Sequence, residues 1–430
     1  MDAERIIEDL DELARRTSDA QGAQRLCWTE GWVIARELLG ELLAELELEA
    51  ETDEAGNLWA RLPGRDPELP ALAIGSHLDS VPGGGWLDGA LGVLAAVGVL
   101  REHAAGPPPR RSLVLVDWAD EEGARFGRSL FGSSACAGTL APDGLRGLRD
   151  ADGRPIAEVL AEHGIELDRI NLSRARLKGL GAYLELHIEQ GPVLEELGVA
   201  AAAVGGCVGV ERLRFTFTGE TAHAGTTPMR LRRDALLAAA ASAIAISEIP
   251  GHGEGLDGDG EGSAATHEGL ATTGALSVEP GIPTAVAGRA SLVADIRHGD
   301  GRPLAEMVIA AREACAAAAA SHGCDLAEQP VWAVGPTSFD PELVAAARRA
   351  CETVTGDPGP KMTSGALHDA AAIAPVVPAA MIFVPSVGGR SHAPDEDTDR
   401  DDIVAALEAF AATCADALAG LDQRRRPTRP

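Results

Sequence analysis

The sequence lacks the marks of several classes of protein. Residues 1–5 have neither the basic start nor the apolar stretch of a secretory signal. The longest apolar run, residues 235–247, is rich in alanine, shorter than a bilayer span and preceded by charged residues, so we expect a soluble helix there. The seven cysteines show no paired spacing, which favours reduced thiols and a cytoplasmic protein.

Positive charge is also scarce. The formal net charge at pH 7 is −29, from 66 Asp and Glu against 37 Lys and Arg. Such a charge repels nucleic acids and anionic membranes, so neither is expected as a partner. The basic stretch at residues 424–429 lies at the C-terminus, where we expect a frayed end. The 45% hydrophobic content is typical of a soluble globular protein.

The order of helical and strand patterns divides the chain. Residues 1–211 alternate strands with helices, which predicts an α/β fold with a mostly parallel, doubly wound sheet. Residues 212–332 follow the order β-α-β-β-α-β of a ferredoxin-like domain, and the α/β pattern resumes at residues 333–430. We therefore predict a catalytic domain interrupted by a smaller, inserted lid or dimerisation domain. Within the insert, residues 252–262 are rich in glycine and acids, and we expect a mobile loop.

Polar side chains follow two apolar strands. Residues 113–116 form an apolar run that predicts a buried strand, and Glu121 and Glu122 come just after it. His77 and Asp79 follow a second apolar run in the same way. Because the carboxyl ends of parallel strands meet at one edge of a sheet, these residues could form a site for a divalent metal ion.

Three more residues extend this pattern. Asp88 lies in a glycine-rich loop, His187 ends a further strand, and His392 lies in a polar loop. Singly, each has an ordinary explanation, since runs of acids are usually solvated and a histidine at a strand end is often a satisfied core residue. Together they offer three histidines and at least two carboxylates, which suits two ions that share one carboxylate. The sequence therefore predicts a metal-assisted hydrolase, with a spare carboxylate as general base.

The chain resembles the amidase/carbamoylase branch of the co-catalytic metallopeptidase clan. This branch includes N-carbamoyl-L-amino acid hydrolases, β-ureidopropionases and allantoate amidohydrolases. Peptidases of the clan usually carry an acid in place of His187, so the similarity is specific to this branch. The strings that carry the resemblance are residues 75–80, 87–89, 121–126, 185–192, 222–229, 295–298 and 391–392.

The resemblance implies two divalent ions in each subunit, of zinc, manganese, cobalt or nickel. Asp79 would accept the second N–H of His77 and fix its tautomer. Glu121 would take a proton from the attacking water and pass it to the leaving nitrogen. The implied ligands are His77, Asp88 and His187 for one ion, and Asp88, Glu122 and His392 for the other, with Asp88 bridging.

The resemblance also implies substrate contacts and a homodimer. Gln190, Gly389 and Arg297 would contact the substrate, the guanidinium clamping a carboxylate through two hydrogen bonds. His223 would reach across the dimer to polarise the scissile carbonyl. Thr284 stands where relatives carry an asparagine, so it is a candidate determinant of substrate choice.

We therefore predict a cytoplasmic hydrolase that cleaves the C–N bond of a ureido or amide group on a small carboxylate substrate. An N-carbamoyl-L-amino acid fits best, and allantoate and ureidoglycolate remain alternatives, with an aminoacylase or dipeptidase after them. A non-catalytic binding or dimerisation module is the alternative from another class. Leu367 replaces a glycine common in relatives, and His368 and Asp369 either support the metal site or have a structural role.

Overall fold

The computed structural model describes residues 1–252 and 269–423. Residues 253–262 of the expected loop and the basic stretch at 424–429 lie outside the described residues. The α-helices are α1 Ala3–Thr17, α2 Glu30–Ala44, α3 Ala90–Ala104, α4 Phe131–Ala137, α5 Ile156–Glu162, α6 Val193–Leu197, α7 Ala235–Glu248, α8 Gly301–Ser321, α9 Pro341–Thr355, α10 Asp369–Ile373 and α11 Arg400–Gln423. The strands are β1 Ser18–Asp19, β2 Gly22–Ala23, β3 Ala50–Thr52, β4 Leu58–Leu62, β5 Ala71–His77, β6 Leu113–Trp118, β7 Leu180–Ile188, β8 Ala202–Cys207, β9 Gly209–Thr218, β10 Ala222–His223, β11 Leu270–Glu279, β12 Ala285–Val286, β13 Arg289–His298, β14 Asp325–Val334, β15 Thr337–Ser338, β16 Met362–Ser364 and β17 Ala379–Val384.

The chain forms two compact units. The first contains Met1–Gly205 and Ser338–Pro430, and the second contains Gly206–Thr337. The boundaries that the sequence suggests, at residues 211 and 333, fall inside β9 and β14, the first and last long strands of the second unit. The alternating pattern becomes clear only a few residues into β9, whereas its ladder with β13 begins at Gly209. A boundary taken from the pattern therefore lies too far inside the second unit.

The first unit is built on a mostly parallel sheet, as the sequence predicts. The strands of this sheet lie in the order β15-β8-β17-β7-β5-β6-β4-β3, and β16 pairs with β8. The central strands β17, β7, β5 and β6 run parallel, and antiparallel pairs occupy both margins. β5, β6 and β17 are buried along their whole length, and their residues are mostly apolar, as expected of strands that are covered on both faces.

Helices cover this sheet. Every residue of α3 from Ala90 to Leu100 is buried, which explains why this helix has no polar face. α11 is long and apolar enough to cross a membrane by length and composition alone. Its apolar positions, including Leu407 and Phe410, are instead buried within the first unit, as expected of a core helix.

The second unit has the predicted β-α-β-β-α-β order. Its antiparallel strands lie in the order β11-β13-β9-β14, and α7 and α8 pack on the sheet. Phe215 and Phe217 on β9 and Leu292 on β13 form the core with alanines of both helices. This is the ferredoxin-like arrangement expected from the sequence.

Candidate metal centre

The candidate ligands come from the carboxyl ends of adjacent parallel strands. His77 is the last residue of β5, and His187 is the second-last residue of β7. β6, the other neighbour of β5, leads into Glu121 and Glu122. The rings of His77 and His187 lie 5.8 Å apart between centroids. The edge of the sheet therefore brings together residues that are distant in sequence.

One group of possible ligands contains His77, Asp88 and His187, whose ligand atoms all lie within 4.8 Å of one another. Asp88 Oδ1 lies 3.2 Å from His187 Nε2 and 3.8 Å from His77 Nε2. Nδ1 of His77 lies 3.0 Å from the backbone oxygen of Asp79, and Nδ1 of His187 lies 2.9 Å from that of Ile188. Since a carbonyl oxygen only accepts, Nδ1 carries the proton in each ring, and Nε2 of the neutral ring faces Asp88 as a possible ligand atom.

A second group contains Asp88, Glu122 and His392. Asp88 Oδ2 and Glu122 Oε2 each lie 3.3 Å from His392 Nε2. Glu122 Oε1 is buried and has no hydrogen-bond partner among the described residues. The two oxygens of Asp88 thus face different groups, and the mixed nitrogen and oxygen set fits two ions that share one carboxylate.

A third group of possible ligands contains Glu185, His187 and His368. Its side chains make contacts with other protein groups. His368 Nε2 lies 3.0 Å from Ser364 Oγ. The rings of His368 and His187 lie 4.3 Å apart between centroids. We therefore interpret this group as a support for His187. Both oxygens of Glu185 accept hydrogen bonds from buried donors, namely Ser76 Oγ, Tyr183 Oη and Ala370 N.

Glu121 lies beside the candidate ligands but belongs to none of these groups. Its Oε2 is 3.8 Å from His77 Nε2, and the residue is only 7% exposed. Burial raises the pKa of Glu121 well above its usual value, and repulsion from Asp369 and Glu122 adds to this. The structure therefore places the expected general base next to a candidate ligand, His77, and outside the groups of possible ligands.

The position of Asp79 corrects one detail of the expected site. Its backbone oxygen, not its carboxylate, makes the close contact with His77 Nδ1, since the nearest carboxylate oxygen is 3.6 Å away. The carboxylate instead accepts the N–H groups of Glu121 and Glu122, each at 3.2 Å. Asp79 therefore orients the pair of glutamates, and the tautomer of His77 depends on the backbone.

Burial and neighbouring charges both shift the pKa values of residues in this site. Burial lowers the pKa of His77 to about 4. Burial would also lower the pKa of His187, but the nearby Asp88 carboxylate outweighs it and raises that pKa to about 9. Burial, with repulsion from Asp88, raises the pKa of Glu122 well above its usual value. Divalent cations would favour the ionised carboxylates and the neutral imidazoles, and would thus lower the pKa of both His187 and Glu122.

Gln190, a predicted substrate contact, borders the same group. Gln190 Nε2 donates to Asp88 Oδ2 at 2.9 Å, and it lies 3.3 Å from Ser391 Oγ. Gly389 has φ +64, and a Cβ there would lie 2.8 Å from the nitrogen of Pro192. Glycine is thus required at residue 389 by both backbone conformation and space.

Three residues at or beside the candidate ligands have a strained backbone. Asp120, Gln190 and His392 have positive φ angles of 55°, 59° and 55°. Gly89, with φ +66, leads from Asp88 into α3, and a Cβ there would lie 2.4 Å from His77 Cε1. Left-handed backbone at residues other than glycine is unfavourable and is often found at functional sites.

The remaining predicted residues lie in the second unit. β10 pairs with β12, His223 lies opposite Ala285, and the Ala224 N–H donates to the oxygen of Thr284 at 2.9 Å. His223 and Thr284 are therefore close neighbours. The Gly225 N–H donates to His223 Nδ1 at 3.1 Å, so the neutral ring carries its proton on Nε2.

Arg297 lies on β13 in the same unit. Its Nε donates to Asp295 Oδ1 at 2.7 Å. Asp295 Oδ2 also accepts two hydrogen bonds from Arg212, at 3.0 and 2.6 Å. Asp295 therefore holds the orientation of the predicted carboxylate clamp.

Sequence reasoning missed two buried residues beside the candidate ligands. Arg25 is completely buried and donates to the oxygen of Leu78 at 2.7 Å. Glu396 is 2% exposed and accepts the N–H groups of Leu87 and Asp88 at 3.2 and 3.0 Å. Burial raises the pKa of Glu396 to about 7. Glu396 stands in a polar, acid-rich stretch that is typical of a solvated loop, so its sequence carries no signal of burial.

Comparison with known proteins identifies close relatives. The family described as Peptidase family M20/M25/M40 matches residues 73–416. The N-carbamoyl-L-amino-acid amidohydrolase of Paenarthrobacter aurescens is 35% identical, over 93% of this chain and 94% of the relative. The allantoate amidohydrolase of Escherichia coli (strain K12) is 32% identical, over 91% and 92%. The crystal structure of an amidase of the hydantoinase/carbamoylase family from Burkholderia multivorans superposes with a TM-score of 0.84 at 34% identity, covering 97% of this chain and 98% of the other. These matches confirm the resemblance that the sequence motifs indicate.

Proposed function

This chain belongs to the peptidase family M20/M25/M40 and is a hydrolase of C–N bonds, and from this premise we propose that it hydrolyses the ureido group of an N-carbamoyl-L-amino acid. The observation that carries the proposal is the position of Asp88, whose two oxygens face two separate sets of possible ligands. Such an arrangement suits hydrolysis assisted by two ions. The similarity to an N-carbamoyl-L-amino-acid amidohydrolase supports the choice of substrate.

The residues present fit two divalent ions, of zinc, manganese, cobalt or nickel. The buried Glu122 Oε1, which has no hydrogen-bond partner in the described chain, is the kind of atom that a cation would satisfy. Ions bound here would lower the pKa of a water molecule and polarise the substrate carbonyl. We propose that one ion is held by His77, Asp88 and His187, and the other by Asp88, Glu122 and His392.

The proton transfers are assigned to Glu121. As a buried carboxylate outside the ligand groups, it can take a proton from the attacking water. It then returns the proton to the leaving nitrogen as the C–N bond breaks. The carbamate that remains decomposes, so that the products are carbon dioxide, ammonia and the free amino acid.

Substrate binding is assigned to four residues, Gln190, Gly389, Arg297 and Thr284. Gln190 and Gly389 would contact the substrate. Arg297 would bind the carboxylate through its planar guanidinium, while Asp295 holds it in place. Thr284, a close neighbour of His223, would face the ureido group of the substrate that His223 reaches. We propose this arrangement as the basis of selection for a small carboxylate substrate.

We further propose that the active species is a homodimer. His223 is exposed, and its neutral ring carries a proton on Nε2 that could be donated to a carbonyl oxygen of a substrate held by the other subunit. The second unit also exposes apolar side chains on α7 and on the edge strand β11, which a partner subunit would cover. These are Leu236, Leu237, Ile244, Leu270 and Leu276. A cytoplasmic location, suggested by the scattered spacing of the seven cysteines, remains part of the proposal.

Allantoate is the second candidate substrate, because the Escherichia coli relative named for it is almost as similar. Ammonia release separates the two when purified protein is loaded in turn with Mn²⁺, Co²⁺, Ni²⁺ or Zn²⁺. The panel contains N-carbamoyl-L-amino acids and their D-enantiomers, allantoate and ureidoglycolate, whose hydrolysis is followed by ammonia release. It also contains N-acetyl amino acids and dipeptides, whose hydrolysis is followed by release of the free amino acid. The proposal expects the highest kcat/KM with an N-carbamoyl-L-amino acid. Preference for allantoate would support the second candidate, and no turnover by metal-loaded protein would contradict both.

A further inference from the structure

Glu396 is a buried carboxylate that has no role in the proposed reaction. Its Oε1 accepts hydrogen bonds from the backbone N–H groups of Leu87 and Asp88, at 3.2 and 3.0 Å. Its Oε2 lies 2.9 Å from Ser391 Oγ. The side chain of Glu396 thus connects its own loop with the loop of Asp88, which lies 308 positions earlier in the sequence.

Both connections lead to candidate ligands. One accepted N–H belongs to Asp88 itself, and Ser391 immediately precedes His392. Ser391 Oγ also lies 3.0 Å from Asp88 Oδ2. Since this hydroxyl has a single hydrogen, it donates to one carboxylate at a time, and Glu396 and Asp88 share it. The spacing of Asp88 and His392 therefore depends on Glu396 through both backbone and side chain.

Gly85 provides space for this carboxylate. A Cβ at residue 85 would lie 1.9 Å from Glu396 Oε1, and the three nearest atoms would all belong to the Glu396 carboxyl group. In a close-packed interior, such an overlap would force the carboxylate to move. The sequence therefore keeps a glycine where the side chain of Glu396 passes against the Asp88 loop.

We propose that Glu396 is a positioning residue that fastens the Asp88 loop to the His392 loop and so sets the spacing of the metal ligands. This inference rests on the proposed function, because it requires metal binding at Asp88. Residues that hold metal ligands in place typically change metal affinity or activity by about 10–100-fold when they are removed. Removal of Glu396 would leave two buried N–H groups without an acceptor, and this would loosen the Asp88 loop.

The test measures metal affinity by competition between Mn²⁺- or Zn²⁺-loaded protein and a chromophoric chelator. Glu396→Ala is expected to weaken binding by about 10–100-fold. Glu396→Gln keeps a carbonyl oxygen for the backbone N–H groups and should lose less affinity, which a general loss of stability would not explain. Asp340→Ala is the matched control, because Asp340 also accepts two backbone N–H groups, those of Glu342 and Leu343, on a helix without candidate ligands. It should bind metal like the wild type.

A second variant, Gly85→Ala, tests the proposal even if Glu396→Ala fails to fold. Gly85→Ala retains Glu396 but displaces it, so it should weaken metal binding as well. In a folded double variant, Gly85→Ala should cause little loss of metal affinity beyond that of Glu396→Ala. The carboxyl atoms that the new Cβ would meet are absent from this variant.

The outcomes separate the two proposals. If wild-type protein binds metal and both Glu396→Ala and Gly85→Ala bind it equally well, the inference is wrong and the proposed function stands. An equal loss of affinity in Asp340→Ala would also overturn the inference. If the wild type binds no divalent ion, both proposals fail.

Discussion

Substitution of Glu121 by glutamine tests whether Glu121 is the general base and its neighbour Glu122 a metal ligand. Glutamine has nearly the same shape, and the hydrogen bond from residue 121 to Asp79 comes from the backbone, so the fold of the turn should persist. Among the described residues, Glu121 belongs to no group of possible ligands, and its Oε2 is 3.8 Å from His77 Nε2. We therefore expect Glu121→Gln to keep its full complement of metal.

The loss of activity can be given a magnitude. A positioned general acid–base contributes about 10²–10⁴ in rate, which corresponds to about 2.7–5.4 kcal/mol of transition-state stabilisation. Glu121→Gln should lower kcat by this factor and change KM little, because the side chain has no role in substrate binding. Since the base must be ionised, wild-type activity should fall as the pH decreases through the pKa of Glu121, and this limb should be absent from the residual activity of the variant.

Ammonia release and elemental analysis of the same samples measure both effects. Glu122→Gln is the comparison variant, because Glu122 belongs to the second ligand group and its replacement should remove metal. Loss of metal from Glu121→Gln, with retention in Glu122→Gln, would show that the roles of the two glutamates are exchanged. Full activity in Glu121→Gln would refute the assignment of the base.

Other variants test the remaining parts of the site. Asp88→Ala should lose or weaken both ions and abolish activity, as measured by elemental analysis and ammonia release, and full activity would exclude a shared carboxylate. If His223 acts across a dimer, mixing His223→Ala with Glu121→Gln should restore at most about a quarter of wild-type activity, since only hybrid dimers contain one intact site. No recovery despite demonstrated subunit exchange would contradict the trans role. Thr284→Asn should change the ranking of ureido substrates by kcat/KM without changing metal content, and an unchanged ranking would place this residue away from the substrate. With metal removed by a chelator, the protein should lose thermal stability as the pH rises from 6.5 to 9, because the pKa of His187 is raised from 6.5 to about 9 in the folded state. Metal-loaded protein should not show this decline, and equal melting curves for both forms would count against His187 as a ligand.

Much of this fold can be predicted from short patterns in the sequence. The apolar runs of β5 and β6 are sufficient to indicate buried parallel strands, because both faces of such strands are covered. The chain direction then places His77 and the two glutamates at one edge of the sheet. These inferences succeed because each depends on a local pattern and on a general rule of sheet topology.

Contacts between distant loops could not be predicted in this way. The pairing of β10 with β12, which makes His223 and Thr284 neighbours, involves strands of two residues each with no pattern of their own. The carboxylate of Asp79 turns to the backbone of the glutamates, although the motif suggests that it faces His77. Both depend on the exact course of loops, which local propensity does not determine.

The geometry of Asp88 shows why the edge of a sheet locates a metal site without completing it. Strand ends fix where a ligand's backbone lies, but Asp88 belongs to a loop beyond β5, and its oxygens are oriented by residues from other segments. Gln190 donates to Oδ2 from beyond β7, and Ser391 does so from beyond β17. Glu396 holds the backbone of the same residue. A carboxylate that is proposed to face two ions needs this restraint on its side chain and on its N–H, because a free side chain would turn toward either ion alone. The residues that supply the restraint therefore belong to the site together with its candidate ligands, and they are the ones that a motif of ligands leaves out.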